Sequence, residues 1–131
     1  MQRIEHIAQP IEAWRQGVET RMHVSACNGA TQLCIFEQWV APTLGAPTHA
    51  HSVEEVLTVI SGEAEIWIED GRIVLTSGQS IIVPPHRKHG FRNTGSEALH
   101  IHAVLAAPFF EASYDGARQP MRHWVSTEKG S

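Results

Sequence analysis

Residues 54–83 read EEVLTVISGEAEIWIEDGRIVLTSGQSIIV, and this stretch decides the fold. Glu54 to Ile60 is rich in Val, Leu, Ile and Thr, side chains that suit a pleated strand. Glu63 to Glu69 alternates cleanly and puts Ala64, Ile66 and Ile68 on one face, the period of a half-buried strand. Asp70-Gly71 then predicts a two-residue hairpin turn into Arg72 to Leu75. Ser77-Gly78 is a further turn, followed by a strand over Ser80 to Val83. Pro84-Pro85 ends that strand, because proline donates no ladder hydrogen bond.

The same pattern extends outward. Leu33 to Val40, His89 to Asn93 and Leu99 to Ala106 read as strands, the last two separated by Asn93-Thr94-Gly95-Ser96. Six or seven short strands with frequent turns predict an all-β sandwich or barrel. Helical periodicity is weak and confined to Ile11 to Trp14. From Pro108 on the chain turns irregular, and Phe109, Phe110, Tyr114, Met121 and Trp124 are expected to pack outside the barrel or on a second subunit. Thr127 to Ser131 reads as a frayed tail. The expectation is one domain over 1–131, with a barrel core at about 20–107, short helical or irregular termini and an extension at 108–131.

At 131 residues, with 42% hydrophobic and 18% charged residues, the chain can bury a core and is too short for two ordinary domains. The net charge is -4 and no basic run stands out, which argues against nucleic acid as a partner. No stretch approaches the roughly 18 apolar residues of a membrane span. Arg3, Glu5, His6 and Glu12 interrupt the N-terminus where a signal peptide would need an apolar block, so a cytoplasmic location is expected. Cys27 and Cys34 are too few for a disulfide framework, and Cys34 in Leu33-Cys34-Ile35-Phe36 reads as a buried thiol.

Three histidines and one glutamate stand where a single metal ion could collect them. His49 and His51 lie in PTHAHSVEEV at 47–56, Glu55 closes that stretch, and His89 stands in PPHRKHGFRN at 84–93. On a strand His49 and His51 share a face. Glu55 has the same parity, or returns to the site if the chain turns at Ser52-Val53. Three imidazoles and a carboxylate suit one divalent transition metal ion: Fe(II), Mn(II), Ni(II), Cu(II) or Zn(II). Four protein ligands on an octahedral ion leave two positions for water, dioxygen or substrate oxygens.

These residues also show a family resemblance. Gly45, His49, His51, Glu55 and Gly62 resemble the first conserved motif of the cupin superfamily. Gly78, Pro84, His89 and Asn93 resemble the second, and the short gap from Gly62 to Gly78 is that of small bacterial cupins. Gly45 stands closer to His49 than the pattern has its glycine, and His86 replaces a glycine usual after the proline. A residue other than glycine pays to adopt positive φ there, and His86 is a candidate to line the entrance. The resemblance implies a jelly-roll β-barrel with His49, His51, Glu55 and His89 as metal ligands in its mouth, and a homodimer. It implies a metalloenzyme acting on a small organic molecule, by dioxygenase or isomerase or lyase chemistry. The competing expectation is a non-catalytic module that binds a small ligand or the metal alone. Fold does not choose between them.

Glu54 is the rival to Glu55, and the family spacing favours Glu55. His100 and His102 line one face of their strand, an outer face or else a source of a general acid or base. Phe91 shares the face of His89 and is the candidate apolar pocket wall; Gln38 is a candidate hydrogen-bond donor to a ligand. Trp39 and Trp67 read as packing, and Arg87 and Lys88 as a solvated turn.

Overall fold

The alternation read in the sequence becomes strand pairing in the computed structural model, which describes residues 1–126; the tail expected at Thr127 to Ser131 lies outside the described residues. Among the described residues there are twelve strands. They are β1 (Ile11–Arg15), β2 (Val18–Val24), β3 (Cys34–Val40), β4 (Gly45–Ala50), β5 (Glu55–Ser61) and β6 (Glu63–Ile68), then β7 (Gly71–Thr76), β8 (Gln79–Val83), β9 (His89–Asn93), β10 (Leu99–Leu105), β11 (Phe110–Tyr114) and β12 (Met121–His123). Two six-stranded sheets result, ordered β1-β2-β3-β10-β5-β8 and β12-β11-β4-β9-β6-β7, and the strand pairs are antiparallel. This is the all-β jelly-roll arrangement expected.

Side chains on the two inner faces make one core. Phe36, Val40, Leu57, Val59, Leu99 and Ile101 come from the first sheet, and Ala46, Ala64, Ile66 and Phe91 from the second. β3, β5 and β10 each alternate buried and half-buried positions, so β10 sends Leu99, Ile101, Ala103 and Leu105 inward. His100 and His102 therefore lie on the outer face. His100 Nε2 is 2.7 Å from Glu37 and its ring stacks on Trp39 at 5.1 Å. Neither imidazole enters the barrel, which removes them as candidate acids or bases.

Three local readings are corrected. The β6–β7 hairpin pairs Ile68 with Gly71, so its two-residue loop is Glu69-Asp70, not Asp70-Gly71. Glu69 takes a φ of 52° there, held by its backbone N–H donating to the Lys88 carbonyl at 2.8 Å. Ile11 to Trp14 is not helical but the edge strand β1. The C-terminal segment does not lie outside: Phe110, Ala112 and Trp124 belong to the core, and β11 pairs with β4.

That last segment closes one seam of the sandwich. β1 ends the order of one sheet and β12 that of the other. The Glu12 carboxylate joins them, accepting from Trp14 Nε1 at 3.3 Å, His123 Nε2 at 2.6 Å and Trp124 Nε1 at 3.0 Å. Behind this latch the Trp14 ring packs on Phe110 and Trp124, with centroids 4.8 and 5.2 Å away. No helix among the described residues is long and apolar enough to cross a membrane.

Candidate metal centre

β4 and β9 are neighbours, and their register sets His49 directly opposite His89. After β4 the chain bends at Ser52 and Val53, so Glu55 opens β5 in the other sheet. The cluster thus bridges both sheets. His49, His51, Glu55 and His89 are all buried, at 5%, 3%, 3% and 1% exposure, whereas Glu54 is exposed. The carboxylate brought to the site is Glu55, not its rival.

The ligand atoms of His49, His51 and His89 lie within 4.8 Å of one another. Glu55 Oε1 stands 3.1 Å from His89 Nε2 and 3.3 Å from His51 Nε2. Each imidazole is oriented from behind by a backbone carbonyl. His49 Nδ1 bonds the Pro47 carbonyl at 2.7 Å, His51 Nδ1 that of Glu111 at 2.7 Å, and His89 Nδ1 that of Arg87 at 2.9 Å. A carbonyl can only accept, so all three Nδ1 atoms carry hydrogen and donate. In a neutral ring this leaves the Nε2 lone pair toward the cluster, as a metal ligand requires. The 3.3 Å approach of His51 Nε2 to Glu55 lacks hydrogen-bond geometry, and that nitrogen is buried without a hydrogen-bond partner.

Burial, with His89 and His51 alongside, drives His49 down to about 3, so it stays neutral. Burial would push Glu55 up, but the imidazoles of His51 and His89 outweigh it and hold the carboxyl at about 2. Burial also pushes His51 down, and the Glu55 carboxylate overrides it and raises it. An ionised carboxylate in a dry pocket needs a cation, which protonated imidazole or a metal ion can supply. Three converging Nε2 atoms beside one carboxylate, with His51 Nε2 orphaned and His89 Nε2 bonded to Glu55 Oε1, fit a metal ion.

A cavity of about 20 Å³ adjoins His49 and Glu55, lined by Trp14, Arg15, Phe36, Gln38, Phe110 and Tyr114 among others. Phe91 is buried in the core and is not part of this wall, contrary to the expectation from its parity. Gln38 does line it, with Nε2 donating to Thr20 Oγ1 at 3.0 Å. The sequence does not single out Trp14, Arg15, Phe110 or Tyr114 as site residues; Phe110 and Tyr114 are expected only as packing outside the barrel or on a second subunit. The alternation of Phe110, Ala112 and Tyr114 was the signal available for two of them. Arg87 and Lys88 are exposed as expected, and Lys88 pairs with Asp115 at 3.2 Å. Burial lifts the Cys34 thiol to about 12, so it is inert.

The loop that presents His89 carries a small strain. His86 adopts a φ of 66°, the left-handed conformation that glycine favours, and its N–H donates to the His51 carbonyl at 2.7 Å. Its side chain is exposed. His86→Gly is expected to keep this hydrogen bond and stabilise the fold by about 0.5–1 kcal/mol. Urea unfolding measures it; a clear loss of stability would mean that the imidazole holds the loop. The asparagine of the second motif has a structural task. Asn93 donates from Nδ2 to the Val40 and Glu97 carbonyls, each at 2.9 Å, and accepts from Gly95 N at 2.8 Å, fixing the turn into β10.

Comparison with known proteins agrees with this architecture. The Cupin domain family matches residues 36–105. Auxin-binding protein 1 of Arabidopsis thaliana is 27% identical over 93 residues, covering 64% of this chain. The match takes in 47% of that protein, so the chain spans about half the length of the curated relative it matches. An RmlC-like cupin from Shewanella frigidimarina superposes with a TM-score of 0.69 at 24% identity, over 79% of this chain and 87% of that one. The polyketide cyclase RemF from Streptomyces resistomycificus superposes with a TM-score of 0.75 at 19% identity, over 91% and 88%. These structural likenesses establish the shared fold. With a family match over more than half its length, two antiparallel sheets and the histidine cluster between them, the chain belongs to the cupin family.

Proposed function

We propose that the chain holds one divalent transition metal ion on His49, His51 and His89, with Glu55 as fourth ligand, and acts as an enzyme on a small organic molecule that chelates through oxygen. The observation that carries this is the set of three buried Nε2 atoms, each freed by a carbonyl behind its ring. When bound, the ion supplies Lewis acidity or a place for dioxygen. The chain's own contribution is to hold three imidazoles aligned through their Nδ1 hydrogen bonds, and to keep one carboxylate ionised beside them. Trp14, Phe36 and Phe110 give the cavity an apolar wall. The polyketide cyclase among the structural relatives supports chemistry on oxygen-rich organic substrates. Dioxygenase and isomerase or lyase reactions are both compatible with the ligand set.

One observation favours a non-catalytic ligand-binding module. The cavity of about 20 Å³ has room for little more than a water molecule. A substrate therefore requires the wall to move. The metal-loaded protein is expected to consume oxygen or form product from at least one member of a panel of β-diketones, catechols and 2-oxo acids. A fully loaded protein that binds members of the panel and turns over none would establish the module.

A further inference from the structure

Arg15 lines the cavity beside His49 and Glu55, yet no carboxylate lies within ion-pair distance of it among the described residues. The β1–β2 register explains how it gets there. Ala13 faces Glu19 and Arg15 faces Val18, which leaves Trp14 as a bulge. In a regular strand Trp14 and Arg15 would point to opposite sides of the sheet. The bulge breaks that alternation, and both side chains line the same cavity. The bulge lets Trp14 pack on Phe110 and Trp124 and brings the Arg15 cation to the same cavity beside a buried centre.

Across the seam stands Tyr114 of β11, paired with His49 in register, its ring 5.1 Å from the imidazole. Burial pushes the Tyr114 phenol up, and Arg15, as a neighbouring charge and hydrogen-bond donor, pulls the other way. Arg15 also lines a groove of about 580 Å³ on the outside, with Gly17, Trp39 and Ala98. It stands between that groove and the cavity. Much of the remaining cavity wall is apolar, from Trp14, Phe36, Leu57, Ile101 and Phe110. A guanidinium at such a wall offers a planar fork of donors that matches a carboxylate.

We propose that Arg15 is the recognition residue of this site and that its ligand is a small organic carboxylate, paired with the guanidinium at the seam between β1 and β11. The inference deepens the metal-centre reading, which it needs for the other end of the ligand and not for the contact with Arg15. A divalent ion with one carboxylate ligand keeps net positive charge, which also favours an anion.

The test is calorimetric titration of the full metal-loaded chain with acetate, pyruvate and benzoate, beside acetamide, pyruvamide and benzamide. Wild type is expected to bind at least one of the acids. Arg15→Gln is expected to weaken that acid on the order of 10- to 100-fold, with metal per chain unchanged and amide binding unaffected. Arg15→Lys is expected to fall between the two, and serves alone if the glutamine variant does not fold. Equal acid affinity in the variants and wild type, equal losses for acid and amide, or no acid bound by wild type would each overturn the proposal. Metal content is measured in the same samples. If wild type takes up no metal, the metal-centre reading falls, and the titration of the unloaded protein decides on Arg15 by the same criteria.

Discussion

Replacing His51 or His89 by alanine is expected to strip the protein of stoichiometric metal. Each imidazole contributes one buried Nε2, and each is set by a carbonyl bond from Nδ1. Loss of a partner behind a ligand costs 10- to 100-fold in affinity, so loss of the ligand itself is expected to cost more than about 100-fold. Elemental analysis after exhaustive dialysis is expected to find about one ion per wild-type chain and almost none in either variant. Glu54→Gln is the control: this residue is exposed, and its variant is expected to keep the ion. The same loss is expected in unfolding experiments. At a free metal concentration of 100 times Kd, wild type gains about 2.7 kcal/mol, and the two variants gain close to nothing. Full metal in both histidine variants would reject the ligand assignment.

The second large effect concerns the backbone beneath the site. Gly45 opens β4, the strand that carries His49, and pairs with Arg92 of β9, which carries His89. A Cβ at Gly45 would lie 1.9 Å from the Phe91 carbonyl oxygen and 2.8 Å from the Arg92 Cα. Both neighbours are backbone atoms of a central strand and cannot rotate away. Gly45→Ala is therefore expected to cost about 3 kcal/mol, the upper end of overpacking, and to lower Tm by about 10 °C. It is also expected to weaken metal binding, because β4 and β9 must part. Gly78→Ala isolates the other role of glycine. Its Cβ would meet nothing within 4 Å, and only its φ of +84° resists, so a cost of about 1 kcal/mol is expected. Thermal unfolding of the two variants compares them; a Gly45→Ala protein as stable as wild type would mean that β4 and β9 are not this close.

The parts of the molecule that were legible in the sequence are those where one residue type meets one local requirement. Ala64, Ile66 and Ile68 alternate because β6 buries one face, and the strand was plain. The cluster of His49, His51, Glu55 and His89 was legible because three of them lie on one short segment and the fourth at motif spacing. β1 was not legible, because the bulge at Trp14 destroys the two-residue period and leaves Ile11 and Trp14 at helical spacing. β11 was hidden by Phe109, which sits beside the inward-facing Phe110 and blurs the alternation. The hairpin loop slipped by one residue because Lys88, remote in sequence, stabilises Glu69 and not Asp70. Phe91 was misplaced for a related reason. Parity gives the face of a strand, but the cavity wall is set by which strands meet at the seam, here β1 of one sheet and β11 of the other. His100 and His102 show the converse: the apolar residues between them claim the core, so the histidines turn outward.

X-ray absorption at the metal edge of the loaded wild-type protein tests most directly whether three imidazoles meet one cation. The expected spectrum shows three imidazole nitrogens with oxygen completing the shell, at about one ion per chain. An ion surrounded by oxygen or sulfur without imidazole scattering, or a protein that takes up no divalent metal, would contradict it.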